Sequence, residues 1–123
     1  MHEFQEYVRA WRGRWKREQR TDAGARRKAR ACASKLALLL AQRYRARRVL
    51  LCGSLARGDF QRSSDIDLVI EGISKDRFFE ASAEAANAAG EFQVDLVPME
   101  AATASFRKRL AREGIVLHDA SRT

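Results

Sequence analysis

A chain of 123 residues with 46% hydrophobic and 33% charged residues has the size and composition of a single soluble globular domain, which excludes a disordered protein. No apolar run approaches the roughly 20 residues that a bilayer-spanning helix needs, and the basic N-terminus lacks the apolar core of a signal peptide. The two cysteines, Cys32 and Cys52, have neither metal-ligand nor Cys-x-x-Cys spacing. We therefore expect buried free thiols in a cytoplasmic protein that has no membrane partner.

The net charge of +8 is concentrated in the first part of the chain. Residues 1–48 contain 15 Lys and Arg against 4 Asp and Glu, a balance of +11, whereas residues 49–123 contain 9 against 12, a balance of −3. A basic segment can attract nucleic acid, the phosphates of a nucleotide or an acidic protein. Solvated helix faces explain the same charge equally well, so the asymmetry alone selects no function.

The first part of the chain has the spacing of amphipathic helices. Apolar residues at three- and four-residue steps, including Trp11 and Trp15, predict a helix over residues 3–20. Thr21, Asp22 and Gly24 then supply a break and a cap, and a second helix is predicted over residues 25–45. The sequence thus predicts an N-terminal helical pair, with a basic extension at 1–24 and a catalytic core at 25–123.

The period then changes to that of strands alternating with helices. The runs "RVLLCG", "DIDLVIEG", "EFQVDLVP" and "IVLH" predict strands, and residues 76–89 and 101–113 predict helices. Gly90 and Pro98 are placed to end a helix and a strand. The predicted fold is α/β (α+β), a small mixed sheet of about three or four strands flanked by helices.

Three aspartates stand where strands would normally carry apolar residues. Asp65 and Asp67 lie one residue apart and so share a strand face, opposite the apolar Ile66, Leu68 and Ile70. Carboxylates held side by side repel each other unless a cation lies between them, and Mg²⁺ is bound through such carboxylates together with substrate phosphates. Asp95 lies on the polar face of a later strand and would make a third ligand, enough for two metal ions. Taken singly, each aspartate also fits a cap, a surface ladder or an edge guard.

The turn after the first predicted strand is suited to a phosphate. Gly53 lets the backbone approach closely, and Ser54 adds a hydroxyl next to backbone N–H groups. Arg57 follows one helical turn later and either adds charge to a triphosphate or packs as a surface arginine. Together with the aspartates, these residues supply the parts that phosphoryl transfer requires.

The order of these residues resembles the signature of the nucleotidyltransferase superfamily that includes DNA polymerase β. Gly53-Ser54 is followed after ten residues by Asp65-Ile66-Asp67, with Asp95 on a later strand. The stretches "GSLARGDFQRSSDIDLVI" and "REGIVLHD" are particularly similar to the minimal nucleotidyltransferases, which consist of little more than a catalytic core. The resemblance covers about Val49 to His118 and leaves residues 1–24 outside it.

The resemblance implies a site and a reaction. Asp65, Asp67 and Asp95 would be catalytic and would hold Mg²⁺, with Asp95 also helping to deprotonate the acceptor hydroxyl, and Gly53 and Ser54 would bind the nucleoside triphosphate. The reaction would attach a nucleoside monophosphate, usually AMP from ATP, to a hydroxyl and release pyrophosphate. Minimal members commonly serve as antitoxins beside a HEPN-domain toxin, so such a toxin is the implied partner and the implied acceptor.

Two rival functions remain open on the sequence. The protein could neutralise a partner by binding alone, without catalysis, or residues 1–48 could form a basic nucleic-acid-binding module. Trp11 and Trp15 either pack on the neighbouring helix or form an interface for a partner or for a second copy of the chain.

Overall fold

In the computed structural model, the backbone is described for residues 2–122 and the side chains for residues 23–121. Four helices and four strands occur in this part of the chain. In order they are α1 (His2–Tyr44), β1 (Arg48–Cys52), α2 (Gly53–Arg57), β2 (Ile66–Glu71), α3 (Lys75–Ala88), β3 (Val94–Pro98), α4 (Ala104–Glu113) and β4 (Ile115–Asp119). Short 3₁₀ turns follow β3 and β4, at Met99–Ala101 and Ala120–Arg122.

The strands form one mixed sheet in the order β3-β2-β1-β4. β1 is antiparallel to both β2 and β4, whereas β2 and β3 are parallel and are connected through α3. A parallel pair needs such a crossover because the chain must return to the same end of the sheet. The predicted fold class is confirmed, and every predicted strand is present.

The N-terminal helical pair is not confirmed, because the backbone forms a single helix, α1, from His2 to Tyr44. Thr21, Asp22 and Gly24 are local signals for a break, but the preference of a single residue is weak, and a glycine inside a helix costs only about 1 kcal/mol relative to alanine. The side chains of Trp11 and Trp15 lie outside the described residues, so both interpretations of these tryptophans remain open. The division at residue 24 likewise remains a prediction.

The start of α4 also differs from the predicted start at Ala101. The helix begins at Ala104, after the 3₁₀ turn, because the Thr103 side chain caps it by accepting a hydrogen bond from the Phe106 backbone N–H at 3.2 Å. Threonine is favoured at this position since its oxygen pairs with a donor that the first helical turn leaves free.

The sheet separates two apolar cores. On one face, Ile66, Leu68 and Ile70 of β2 are buried against α1 and α3. On the other face, a smaller cluster forms around Leu50, Val69, Met99 and Leu110, with Phe106 and Val97 packed against it. The alternation predicted for β2 and β3 is therefore confirmed, and the second core fixes α4 against the sheet.

Both cysteines are free, as expected, but only Cys52 is buried, and Cys32 is partly exposed. Among the described residues, no helix has the length and apolar character that a membrane crossing requires.

Candidate active site

The centre of the candidate site is a pair of aspartates on neighbouring parallel strands. Asp67 of β2 lies directly opposite Asp95 of β3 in the strand register. Their neighbours Ile66, Leu68, Val94 and Leu96 contribute to the large core, so the two carboxylates lie on the opposite face of the sheet. The juxtaposition predicted from the sequence is thus present for this pair.

Gly53 brings the end of β1 over Asp67. Its φ of +71° is in the left-handed region, which glycine adopts without steric cost. A Cβ atom at this position would overlap Asp67 Oδ2 and lie 3.2 Å from Asp67 Cγ. The turn can therefore lie this close to the carboxylate only because residue 53 has no side chain.

A cleft of about 220 Å³ lies beside these residues. Its lining includes four residues predicted for the site, which are Gly53, Arg57, Asp67 and Asp95. Ser54 and Asp65, also predicted, do not line it. Asp65 is exposed just before β2 begins, and Ser54 lies in α2, where its carbonyl oxygen accepts hydrogen bonds from the backbone N–H groups of Gly58 and Asp59.

The electrostatics of the cleft are those of crowded negative charge. Burial raises the pKa of the Asp67 carboxyl, and the nearby Asp95 and Asp65 carboxylates raise it further, while Arg57 opposes them. Burial, followed by Asp67 and Asp95, also raises the pKa of the Cys52 thiol to about 11. The carboxylates of Asp65 and Asp95 thus both repel the ionised Asp67 carboxylate, and a bound cation would relieve this repulsion.

The donor chemistry of the three aspartates fits Mg²⁺, which prefers oxygen ligands and retains waters and substrate oxygens in its coordination shell. Within residues 23–121, no three His, Cys, Asp or Glu side chains are gathered in an arrangement that could hold a metal ion. The metal-binding role of Asp65, Asp67 and Asp95 therefore remains a prediction.

Arg57 is held at the cleft by two exposed carboxylates. Its guanidinium lies 3.5 Å from Asp59 and 3.9 Å from Glu113, and all three side chains are at least one-third exposed. Exposed ion pairs of this kind contribute little to stability, typically about 0–1 kcal/mol. An anionic substrate could therefore replace them at small cost.

Sequence reasoning missed the wall of the cleft that α4 forms. Phe106, Arg109, Leu110 and Glu113 line the cleft together with Val97 of β3. These helical residues recur at steps of three and four, so they share one face of α4. That spacing was visible in the sequence, but it could not show which part of the sheet the face would cover.

The family of the chain follows from a comparison with protein-family models. The model for polymerase beta nucleotidyltransferases matches residues 34–123, which include the aspartate pair, Gly53 and α4. The chain belongs to this family. The match includes the last quarter of α1, from residue 34, and continues beyond His118 to residue 123. No curated protein matches this nucleotidyltransferase-family chain significantly.

Chains in several crystal structures of toxin–antitoxin complexes are similar in fold to this family member. A chain from a toxin–antitoxin crystal structure with AMP-PNP is 21% identical, with a TM-score of 0.61 over 72% of this chain and 75% of that chain. A chain from a Shewanella oneidensis complex of a tri-AMPylated HEPN toxin with an MNT antitoxin is 19% identical, with a TM-score of 0.57 over 76% and 75%. At such identities the similarity establishes the shared fold.

Proposed function

We propose that this protein is a Mg²⁺-dependent nucleotidyltransferase that transfers a nucleoside monophosphate, AMP from ATP, to a hydroxyl group of a partner protein. The observation that carries the proposal is the register of Asp67 opposite Asp95, beside a cleft that Gly53 and Arg57 also line. Family membership supports the reaction class. The partner we propose is a HEPN toxin, which the protein inactivates as its antitoxin.

The proposed reaction exchanges a phosphoanhydride bond of ATP for a phosphoester bond to the acceptor. The acceptor oxygen forms a bond to the α-phosphorus, the bond from that phosphorus to the bridging oxygen breaks, and pyrophosphate leaves. Asp95 receives the hydroxyl proton, and its exposed position on β3 lets a protein substrate reach it. Asp65, Asp67 and Asp95 would hold Mg²⁺, which neutralises phosphate charge and favours ionisation of the attacking hydroxyl when it is bound.

The similar structures support the choice of nucleotide and acceptor. One of them contains AMP-PNP, an analogue of ATP, and another contains a HEPN toxin that carries AMP. Since those proteins share the fold with this chain at about one-fifth identity, the nucleotide and the acceptor are the specific points that need an experiment.

The proposal predicts that Asp65→Asn combined with Asp67→Asn reduces transfer about 100-fold or more, because neutral amides cannot hold the metal that stabilises the charge of the transition state. The measurement is incorporation of labelled AMP into a co-purified toxin, with ATP binding followed in parallel by thermal shift with and without Mg²⁺. Asp76→Asn with Glu80→Gln removes the same charge from exposed positions of α3 and serves as the matched control.

The outcomes separate the rival functions. If the aspartate double variant loses transfer but still neutralises the toxin, the protein acts by binding, and the catalytic proposal is wrong for the antitoxin function. If the wild-type protein shows no nucleotide- and metal-dependent stabilisation but binds RNA or DNA with a steep salt dependence, the basic segment 1–48 carries the function instead.

A further inference from the structure

The two arginines of the cleft differ in their surroundings. The Arg57 guanidinium lies within ion-pair distance of Asp59 and Glu113. Arg109 lines the same cleft from α4, and no ion pair or hydrogen bond of its side chain occurs among the residues whose side chains are described. Arg109 therefore lines the cleft, together with Asp67, Asp95 and Glu113, as a cation without a direct ion-pair partner among the described side chains.

The position of Arg109 follows from the packing of α4. Phe106 and Leu110 of the same helix pack into the smaller core, which sets the rotation of α4 about its axis. Arg109, three residues after Phe106, is exposed and lies at the edge of this face, where it lines the cleft. The packing of α4 therefore places Arg109 beside the cleft, where its guanidinium can reach a ligand.

The other basic residues of α4 differ from Arg109. Arg107 donates hydrogen bonds to the carbonyl oxygens of Met99 and Ala102, at 2.9 and 3.4 Å, and lines a separate cavity of about 800 Å³. Lys108 and Arg112 line neither cavity. Of these four basic residues of α4, Arg109 is therefore the one that lines the cleft. This placement argues against a basic helix face that is merely solvated.

We propose that Arg109 is a substrate-binding residue that contacts the phosphates beyond the α-phosphate, the part of the nucleotide that leaves as pyrophosphate. This inference rests on the proposed nucleotidyltransferase function. Asp67 and Asp95 line the cleft from neighbouring strands, where the proposed function places the reacting α-phosphate, whereas Arg109 lines it from α4. A guanidinium binds phosphate oxygens through two parallel N–H donors and remains charged at every physiological pH.

The test compares triphosphate and monophosphate binding in matched variants. Arg109→Gln should weaken binding of Mg²⁺-ATP and of inorganic tripolyphosphate roughly 10- to 100-fold, the range expected for one charge-assisted hydrogen-bonding group. Binding of AMP should stay within about two-fold, because AMP has no phosphate at the proposed contact. Lys108→Gln and Arg112→Gln remove the same charge from the same helix and should leave all three affinities unchanged. Isothermal titration calorimetry measures the affinities, and circular dichroism confirms that each variant is folded.

Each outcome decides between the two proposals. If wild-type protein binds Mg²⁺-ATP, Asp67→Asn abolishes that binding and Arg109→Gln does not weaken it, the role of Arg109 is wrong and the proposed function stands. Equal losses for ATP and AMP would also overturn this role, because they would place Arg109 at the base or the sugar. If the wild-type protein binds no triphosphate, the proposed function and the role of Arg109 both fail.

Discussion

At the scale of single residues, the site depends on the contact between Gly53 and Asp67. Gly53 has the positive φ that lets the chain turn. The Asp67 carboxylate occupies the space that a Cβ atom at position 53 would need. Gly58 is a natural comparison, because its φ of +96° is also left-handed but no atom lies within 4 Å of its would-be Cβ. A substitution of Gly58 therefore tests backbone strain alone, whereas a substitution of Gly53 tests backbone strain together with displacement of the Asp67 carboxylate.

We predict that Gly53→Ala and Gly58→Ala each lower the free energy of unfolding by roughly 1–2 kcal/mol, the cost of a left-handed non-glycine residue. Only Gly53→Ala should also weaken Mg²⁺-ATP binding, by about ten-fold or more, since its Cβ must displace the Asp67 carboxylate. Urea unfolding measures the stabilities and calorimetry the affinities. Equal affinities in the two variants would mean that Asp67 tolerates the shift or does not contact the nucleotide complex.

At the scale of secondary structure, the continuity of α1 is the point where local signals and the fold disagree. Gly24 lies inside the helix, and no atom is within 4 Å of the Cβ that another residue would place there. At the other end, the helix stops where Arg45 turns into the left-handed region with a φ of 57°. The predicted break near residue 24 is therefore absent, whereas the predicted end of the helix near residue 45 is confirmed.

A continuous helix predicts that Gly24→Ala raises the free energy of unfolding by about 0.5–1 kcal/mol, because alanine loses less backbone entropy on folding and meets no obstacle. Ser34→Ala, at an exposed position further along α1, calibrates the gain expected from propensity alone. Chemical denaturation monitored by circular dichroism gives both values. A gain at residue 24 smaller than the gain at residue 34 would indicate two helices with a junction, as the local signals suggest.

The helix α4 contributes both to the smaller core and to the candidate site. Its buried face carries Phe106 and Leu110, and the same face delivers Arg109 and Glu113 to the cleft. The element therefore has two tasks, since it closes the smaller core and forms one wall of the site. The apolar spacing predicted the helix but neither of its two tasks.

At the scale of the whole molecule, β2 is the centre of both the fold and the site. It is an interior strand, flanked by β3 and β1, and its buried residues contribute to cores on both faces of the sheet. Asp67 occupies one position of this strand and is partly buried. A rigid, interior strand is suited to hold a carboxylate in one place, which phosphoryl transfer requires.

The packing of β2 predicts that Leu68→Ala lowers the free energy of unfolding by about 2–5 kcal/mol, since a fully buried leucine leaves a cavity when it is shortened. This loss is a large part of the roughly 5–15 kcal/mol that stabilises a typical domain. Leu38→Ala, at a position of α1 that is 57% exposed, is the matched control and should change stability by no more than about 0.5 kcal/mol. Similar losses in both variants, measured by thermal and urea unfolding, would contradict this assignment of the core.

The sequence by itself determined the strands, the fold class and the family signature. Alternation of apolar residues such as Ile66, Leu68 and Ile70 is a local pattern, and it survives folding because each strand buries one face. The spacing from Gly53 to Asp67 is likewise a local feature of the sequence, so the candidate site could be predicted without knowledge of the sheet.

Only the tertiary structure decided which residues share the cleft. The parallel register placed Asp95 opposite Asp67, and it left Asp65 outside the cleft, where the strand has not yet begun. The placement of Arg109 depended on how Phe106 and Leu110 pack between α4 and the sheet, a long-range contact that no local spacing encodes. The continuity of α1 shows the same limit, because the preference of one glycine is smaller than the stabilisation that a packed helix gains from its core.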